Sequence, residues 1–299
     1  MEERMKNKRR IILILILLLL LSCAAAGAWF YKKDWCYIAQ FPSTTNNQAM
    51  FYTIETRGKL IVVDGGWAEE AEYVKAVIRE RGGHVDAWIL THPHLDHIGA
   101  FNAVMTDPDG ITVDRIYTQE MDFESYRDRA HAWDREDVFE DFYEIISGLN
   151  NVEYLHNGDS MELFGLKVEV FNAYDKEITN AVTEDIYNDG SLMFKITKSK
   201  ESMLFCADVG VTMSDTIIEE YGDKLKCDYI QMGHHGNGGL SEKFYRMTSP
   251  KAAFFDAPDW LMNPKDGSTY TTPQNREIME SQGARIYAYD TAPNQIRLR

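Results

Sequence analysis

The stretch Thr91-His92-Pro93-His94-Leu95-Asp96-His97 places three histidines and an aspartate within six residues. It follows Val85 to Leu90, an apolar run that predicts a buried strand, so the motif lies at a strand's carboxyl end, where open α/β folds place their sites. Imidazole and carboxylate groups at this density indicate metal binding. The first two histidines are two residues apart and point the same way on a short extended loop. The aspartate and the third histidine follow at a turn and can face a second ion.

Two later strands also end in groups that can bind metal. The predicted strand Met203 to Cys206 runs into Asp208, about 110 residues beyond the histidine motif. The predicted strand Asp228 to Met232 runs into Gly233-His234-His235-Gly236. Adjacent side chains of an extended chain point to opposite sides. We therefore expect one histidine of this pair to bind metal and the other to face substrate or solvent, and the sequence leaves open which does which.

The pattern His-x-His-x-Asp-His after such a strand resembles the metallo-β-lactamase superfamily. The His-His-Gly turn is similar to that of one branch, the stand-alone relatives of the hydrolase domain of the bacterial DNA-uptake protein ComEC. The resemblance covers roughly Phe51 to Arg299. It implies an α/β fold, the four-layer αββα sandwich of the superfamily, and two divalent metal ions, with zinc favoured and manganese as the alternative.

The resemblance also implies roles for particular residues. Asp208 corresponds to the carboxylate that bridges the two ions, and Asp64, in Asp64-Gly65-Gly66, to an aspartate that supports the metal loop from behind. The candidate metal ligands are His92, His94, Asp96, His97, Asp208, His234 and His235. The candidate catalytic residues are Asp96, Asp208 and His235.

One ligand of many superfamily members is missing. The region Tyr187-Asn188-Asp189-Gly190-Ser191 contains no histidine, although another metal-binding histidine often precedes the bridging aspartate. The first ion would then have His92, His94 and Asp208. Asn188 either adds an oxygen or belongs to a simple turn. Fewer nitrogen ligands make a harder and more open site, which tolerates manganese and leaves room for a phosphate oxygen.

Three other features near the motifs receive no ligand role. His156 precedes a turn at Asn157-Gly158-Asp159, and His131 lies in the acidic, aromatic segment Glu120 to Leu149. The helical spacing of that segment fits either a lid over the site or a surface insertion that covers one face of a sheet.

The predicted function is hydrolysis by a metal-activated hydroxide, in which bound water has a pKa of about 7. The resemblance favours a phosphodiester bond. A lactone or β-lactam is the alternative among enzymes, and a non-catalytic, membrane-anchored binding module is the alternative from another class. Two ligand-bearing loops argue against the binding module, because binding alone does not need them.

Composition narrows the set of partners. The chain has 299 residues with 44% hydrophobic content, enough for a large core, and a formal charge of −16. That charge repels polyanions and disfavours nucleic acid as a partner, although a local basic groove stays open. We expect a small-molecule or polymeric phosphodiester substrate.

The N-terminal residues predict a membrane association. Basic residues from Arg4 to Arg10 precede an aliphatic run from Ile11 to Leu21, and the apolar segment to Phe30 totals about 20 residues, the length of a bilayer span. We expect residues 1–33 to form a single anchor and residues 34–299 an extracytoplasmic hydrolase domain. Cleavage after the alanine run Ala24 to Ala26, which would release the protein, is the alternative. The lipoprotein-like box ending at Cys23 fits poorly.

Overall fold

The computed structural model describes residues 14–19, 22, 35–289 and 291–299. Within those ranges no helix is both long and apolar enough to span a bilayer. Residues 14–19 are helical with exposed Ile and Leu side chains. Most of the predicted anchor or signal segment lies outside the described residues, so the membrane prediction stays a prediction.

Strands dominate the described chain. They are β1 (Cys36–Gln40), β2 (Phe51–Thr56), β3 (Lys59–Asp64), β4 (His84–Val85), β5 (Ala87–Ile89), β6 (Thr112–Val113), β7 (Ile116–Gln119), β8 (Val152–Leu155), β9 (Ser160–Leu163), β10 (Leu166–Asn172), β11 (Met193–Lys198), β12 (Glu201–Phe205), β13 (Tyr229–Gln231), β14 (Ala252–Phe254), β15 (Arg285–Tyr287) and β16 (Asn294–Leu298).

Helices connect these strands. They are α1 (Ala71–Glu80), α2 (Leu95–Thr106), α3 (Phe123–Asp128), α4 (Glu136–Ser147), α5 (Ile178–Val182), α6 (Ile186–Asp189), α7 (Ser214–Tyr221), α8 (Glu242–Thr248), α9 (Asp259–Met262) and α10 (Thr272–Ser281). Short 3-10 turns cover Ala68–Glu70, Val211–Met213, Gly222–Leu225 and Gly233–Gly236.

The strands form two seven-stranded sheets of similar design. The first has the order β16-β1-β2-β3-β5-β7-β8 and the second the order β15-β14-β13-β12-β11-β10-β9. Each sheet has an antiparallel half and a parallel half. The parallel half is β3-β5-β7-β8 in the first sheet and β12-β13-β14-β15 in the second. The chain crosses between parallel strands through helices, as parallel pairing requires.

Both faces of each sheet are buried, which explains the nearly continuous apolar strands. Along β3, Ile61 and Val63 point into the layer between the sheets, whereas Leu60 and Val62 pack against the helices outside. The outer face of the second sheet is covered in the same way by α7, α8 and α10. The predicted αββα sandwich is therefore confirmed.

Some predicted elements have different bounds. Val85 belongs to a separate two-stranded sheet with β6, so the strand before the motif is only Ala87–Ile89. The helix after the motif begins at Leu95 rather than at Ile98, which puts Asp96 and His97 in its first turn and not at a turn before it. The segment Glu120 to Leu149 divides into α3 and α4, joined by the loop 129–135.

Candidate metal centre

The functional side chains meet at the carboxyl ends of the parallel strands of both sheets. β3 ends at Asp64, and the histidine motif follows β5. Asp208 follows β12 and the histidine pair follows β13. Because these parallel strands end at one edge of the sandwich, residues distant in sequence come together there.

The first group of donors consists of His92, His94 and Asp208, all largely or fully buried. His92 Nε2 lies 3.1 Å from His94 Nδ1 and 3.9 Å from Asp208 Oδ2. The second group consists of Asp96, His97 and His235, and His97 Nε2 lies 3.3 Å from His235 Nε2. Within each group the donor atoms lie within 4.8 Å of one another, close enough to share one ion.

Asp208 lies between the two groups. Its Oδ1 is 3.3 Å from His97 Nε2, and its Oδ2 is 3.3 Å from His235 Nε2. The first group reaches the same Oδ2 through His92. One carboxylate therefore contacts both donor groups, the position that the resemblance implies for a bridging ligand.

The histidine pair is not extended. His234 and His235 have φ values of 50° and 56°, in the left-handed region. The expectation that the two side chains diverge because the chain is extended is wrong in its geometry. The pair still divides: His235 is fully buried in the second donor group, while His234 is 34% exposed with its Nε2 3.8 Å from Asp208 Oδ2. Of the two, His235 has the position of a ligand and His234 faces the cavity.

Strained backbone occurs where the loops meet. Ala207 and Asp64 also have positive φ, 46° and 49°, so four non-glycine residues of the site are left-handed. Each such residue costs about 1–3 kcal/mol and persists only where its surroundings fix it. The His234 amide donates to the Ala207 carbonyl at 2.8 Å, which ties the two loops of the second sheet together.

Asp64 supports the histidine motif from behind. Its Oδ2 accepts hydrogen bonds from His97 Nδ1 and from the Thr91 hydroxyl, each at 2.7 Å, and its Oδ1 accepts from the Thr91 amide at 2.8 Å. With Nδ1 donating, Nε2 of His97 is left to face the donor cluster. This geometry agrees with the supporting role that the resemblance implies for Asp64.

Asp134 supports the first donor group and was not anticipated from the sequence. It lies in the loop 129–135, and its Oδ1 accepts from His94 Nε2 at 2.7 Å. This bond orients His94 with Nδ1 toward His92. Part of the aromatic insertion thus reaches the site, although neither the spacing nor the composition of that segment singled out Asp134.

The region without a histidine lies beside the first donor group. The Tyr187 ring stacks on His94 with centroids 5.5 Å apart and planes 13° apart. Asn188 is buried in α6, and its Nδ2 donates to Asp185 at 3.0 Å, whereas its Oδ1 has no hydrogen-bond partner. A buried, unpaired carbonyl oxygen is costly unless a further group satisfies it, which fits an oxygen ligand better than a simple turn.

The charges of the site suit cations. Burial alone would raise the pKa of Asp208, but the imidazoles of His235, His97 and His234 hold this pKa well below its ordinary value. Burial alone would lower the pKa of both His97 and His235. Asp208 and its neighbours instead hold the pKa of His97 well above its ordinary value and raise the pKa of His235 to about 10. For His92 burial prevails and lowers the pKa. Asp208 is thus ionised, and its Oδ1 is buried without a hydrogen bond, so this carboxylate can bind divalent cations.

A buried polar network joins the two sheets behind Asp208. Gln231 accepts from the amides of Cys206 and Ala207, each at 2.8 Å, and donates to Asp256 at 2.9 Å. Asp256 also accepts from Gln40 of β1 at 2.8 Å and from Tyr52 of β2 at 2.7 Å. Every donor here has an acceptor, so the network fixes the backbone just before the bridging carboxylate.

The two remaining candidate histidines stay outside the centre, as predicted. His156 is 56% exposed and pairs with Glu120 and Asp159. His131 stacks on Trp133, with ring centroids 4.5 Å apart. The donor cluster opens into a cavity of about 500 Å³, which includes His94, Asp208 and His234 in its lining.

Comparison with known proteins agrees with this arrangement. The family model described as the metallo-beta-lactamase superfamily matches residues 44–234, well over half of the chain. The curated protein RNase aCSPSF2 of Saccharolobus solfataricus is 24% identical over 201 residues, which cover 63% of this chain. The chain spans only 37% of the length of that relative.

Solved structures share the fold at low identity. CmlA, a diiron beta-hydroxylase from Streptomyces venezuelae, has a TM-score of 0.57 at 12% identity, covering 89% of this chain and 54% of its own. A diphosphatase from the PhnP family has a TM-score of 0.50 at 15% identity, covering 88% of this chain and 98% of its own. At these identities the likeness shows the fold alone.

Proposed function

The chain belongs to the metallo-beta-lactamase superfamily of metallo-hydrolases, and from this premise we propose that it hydrolyses a phosphodiester bond with two divalent metal ions. His92, His94 and Asp208 would hold one ion, and Asp96, His97, His235 and the shared Asp208 the other. Zinc is the proposed metal and manganese the alternative, because the donor set mixes imidazole nitrogens with carboxylate oxygens.

The side chains around the ions have distinct tasks. Bound ions supply an activated water and neutralise charge on the phosphoryl oxygens. The negative charge of Asp208 would offset the positive charge of the ions in both donor groups. Asp64 orients His97, and Asp134 orients His94. Burial lowers the pKa of His234, so this imidazole is neutral and can donate a hydrogen bond to charge that develops on the leaving oxygen. We therefore move the proposed catalytic role of His235 to His234.

The observation that carries the phosphodiester proposal is the oxygen of Asn188. It lies in the segment where many superfamily members have a histidine ligand, is buried without a hydrogen bond, and belongs to a residue that lines the same cavity as Asp208. A harder and less filled site leaves room for a phosphate oxygen. The name of one similar protein, RNase aCSPSF2, points to the same class of bond.

A substrate panel tests this proposal. The soluble domain, loaded with zinc or with manganese, is assayed with bis(p-nitrophenyl) phosphate, a chromogenic lactone and nitrocefin. Turnover of the phosphodiester above that of the other two supports the proposal. Faster hydrolysis of the lactone or of nitrocefin replaces it with the alternative, and no turnover of any of them favours a binding module.

We propose that the chain is functionally related to the stand-alone proteins similar to the ComEC hydrolase domain, and that it is anchored in the cell membrane with its catalytic domain outside. The basic start and the apolar run after it motivate the anchor. Cys36, which follows Trp35, pairs with Thr56 at one end of β2, whereas Asp64 pairs with Phe51 at the other end. An anchor joined before Trp35 would therefore leave the cavity facing away from the membrane.

Protease added to intact cells tests this topology. We expect it to remove the domain. Protection until lysis contradicts the orientation, and free mature domain in the medium indicates cleavage.

A further inference from the structure

Exposed tryptophans surround the entrance to the metal centre. Trp133 is 65% exposed and Trp260 is 38% exposed, and both line the cavity that also contains His94, Asp208 and His234. A single exposed apolar side chain needs no explanation, but exposed apolar surface that gathers at one cavity marks a binding site. Here two of them, from distant parts of the chain, share one cavity with the proposed reaction centre.

Trp133 is held at a fixed place relative to the metal centre. It directly precedes Asp134, whose carboxylate accepts hydrogen bonds from His94 Nε2 at 2.7 Å and from the His131 amide at 2.6 Å. The His131 ring stacks on the indole at an interplanar angle of 15°, so one face is covered while most of the side chain stays exposed. Trp133 therefore presents a flat apolar surface whose position is coupled to a candidate ligand.

Trp260 is fixed by different contacts. It lies in α9, and its Nε1 donates to the Asn46 carbonyl at 2.9 Å. The Tyr270 ring packs beside it, with centroids 5.8 Å apart. Because the polar edge of the indole is already bonded, the part of the ring that remains exposed is apolar.

The charge of the cavity limits the length of an anionic substrate. None of the described residues that line it is Lys or Arg, and Asp96, Asp185 and Asp208 are among them. Neutralisation of a phosphate here therefore falls to bound metal ions rather than to Lys or Arg side chains, and further phosphates meet carboxylates and a chain of net charge −16. Proteins that bind long single strands instead combine aromatic platforms with a basic groove.

We propose that the substrates are short nucleotide phosphodiesters, of about two nucleotides, with a base stacked on Trp133 or Trp260. This inference rests on the proposed phosphodiesterase function. Nucleobases stack on indole faces without sequence preference, and a cavity of about 500 Å³ is of the size that small ligands occupy. In the reaction, a water oxygen bonds to phosphorus, the bond between phosphorus and the leaving nucleoside oxygen breaks, and that oxygen receives a proton.

The test compares two esters with and without the indoles. Trp133→Ala, Trp133→Phe and Trp260→Ala are assayed on a diadenosine monophosphate and on glycerophosphoglycerol, a diester with neither a ring nor a cationic group that could bind an indole face. We expect at least one alanine variant to lower kcat/KM for the dinucleotide by about tenfold or more, as for the loss of one stacked base. The ring-free ester should change less than twofold, and Trp133→Phe should retain most of the activity. Tyr154→Ala, which removes a ring that is 43% exposed outside the cavity, is the matched control and should change neither ester.

Other outcomes separate the two proposals. Equal loss on both esters, or no loss in either alanine variant, overturns base stacking while the phosphodiesterase function stands. An abasic ribose diester provides a further comparison. If the wild type cleaves it as well as the dinucleotide, and if that cleavage also depends on Trp133, then the tryptophans bind the sugar and base stacking is overturned. Failure of the metal-loaded wild type to cleave the dinucleotide while it turns over bis(p-nitrophenyl) phosphate overturns the nucleotide proposal alone, and failure on all of these esters overturns both proposals.

Discussion

Replacement of Asp64 by asparagine removes one negative charge behind His97 and keeps the size of the side chain. In the wild type, Oδ2 accepts from His97 Nδ1 and from the Thr91 hydroxyl, and Oδ1 accepts from the Thr91 amide. Asparagine offers one oxygen and one NH₂ group for the same places. If its NH₂ faces His97, then Nδ1 must accept and the proton moves to Nε2, the atom 3.3 Å from Asp208. If the amide flips, its NH₂ opposes the buried Thr91 N–H.

Either arrangement weakens the second donor group. Metal binding requires Nε2 of His97 to lose any proton while Nδ1 keeps one, which the asparagine opposes, and a supporting hydrogen bond of this kind is worth about 10–100-fold in metal affinity or activity. At about 1.4 kcal/mol per tenfold change, the loss is about 1.4–2.8 kcal/mol. The first donor group, whose His94 is oriented by Asp134, should lose much less.

Titration of metal-free protein with zinc against a chromogenic chelator measures this effect. We expect one weakened site and one nearly unchanged site in Asp64→Asn, with far-ultraviolet circular dichroism like that of the wild type. Asp228→Asn is the matched control, because Asp228 is partly buried and accepts from Lys251 and the Ser202 amide, directly before β13 and away from the donor groups. Two sites of wild-type affinity in Asp64→Asn would refute the assigned role of Asp64.

Three further predictions, with four variants, concern other parts of the centre. Asp208→Asn should lower the rate by two or more orders of magnitude, about 3 kcal/mol or more, with the fold intact, whereas His156→Ala should keep nearly full activity. Both variants are assayed on one good substrate, and a larger loss in His156→Ala than in Asp208→Asn would contradict the assignment. His234→Ala should lower kcat by about 10²-fold while elemental analysis still finds the wild-type metal content, and loss of metal would make His234 a ligand instead. Asp134→Ala should weaken metal binding by about tenfold or more in the chelator titration, at a different site from Asp64→Asn, and an effect on the same site would contradict the two-group arrangement.

The sequence was sufficient for much of the fold and for most of the donor set. Ile61 to Val63 and Met203 to Phe205 belong to apolar strands whose ends carry polar groups, and the parallel part of each sheet brings those ends to one edge. The six donors of the two groups all come from motifs that follow predicted strands. Such local patterns carry their information within a few residues, which is why they can be recognised in one sequence.

Contacts between distant segments were not predictable in this way. Asp134 meets His94 across 40 residues, and Gln40 meets Asp256 across 216 residues. Neither pair is linked by the regular spacing of a helix or a strand. In the sequence alone, a functional aspartate in a loop looks like any other loop aspartate. The left-handed conformation of His234 and His235 was also missed, since steric preference disfavours it and only the surrounding tertiary contacts maintain it.

Anomalous diffraction from crystals of the zinc-loaded protein tests the central claim most directly. We predict two ions per chain, one at His92 and His94 and one at Asp96, His97 and His235, with Asp208 between them. A third group of possible donors, formed by His84, Asp86 and Asp114, lies at the surface beside Lys59 and provides an internal comparison. A single ion in the centre, or zinc at the surface group alone, would contradict the two-ion account.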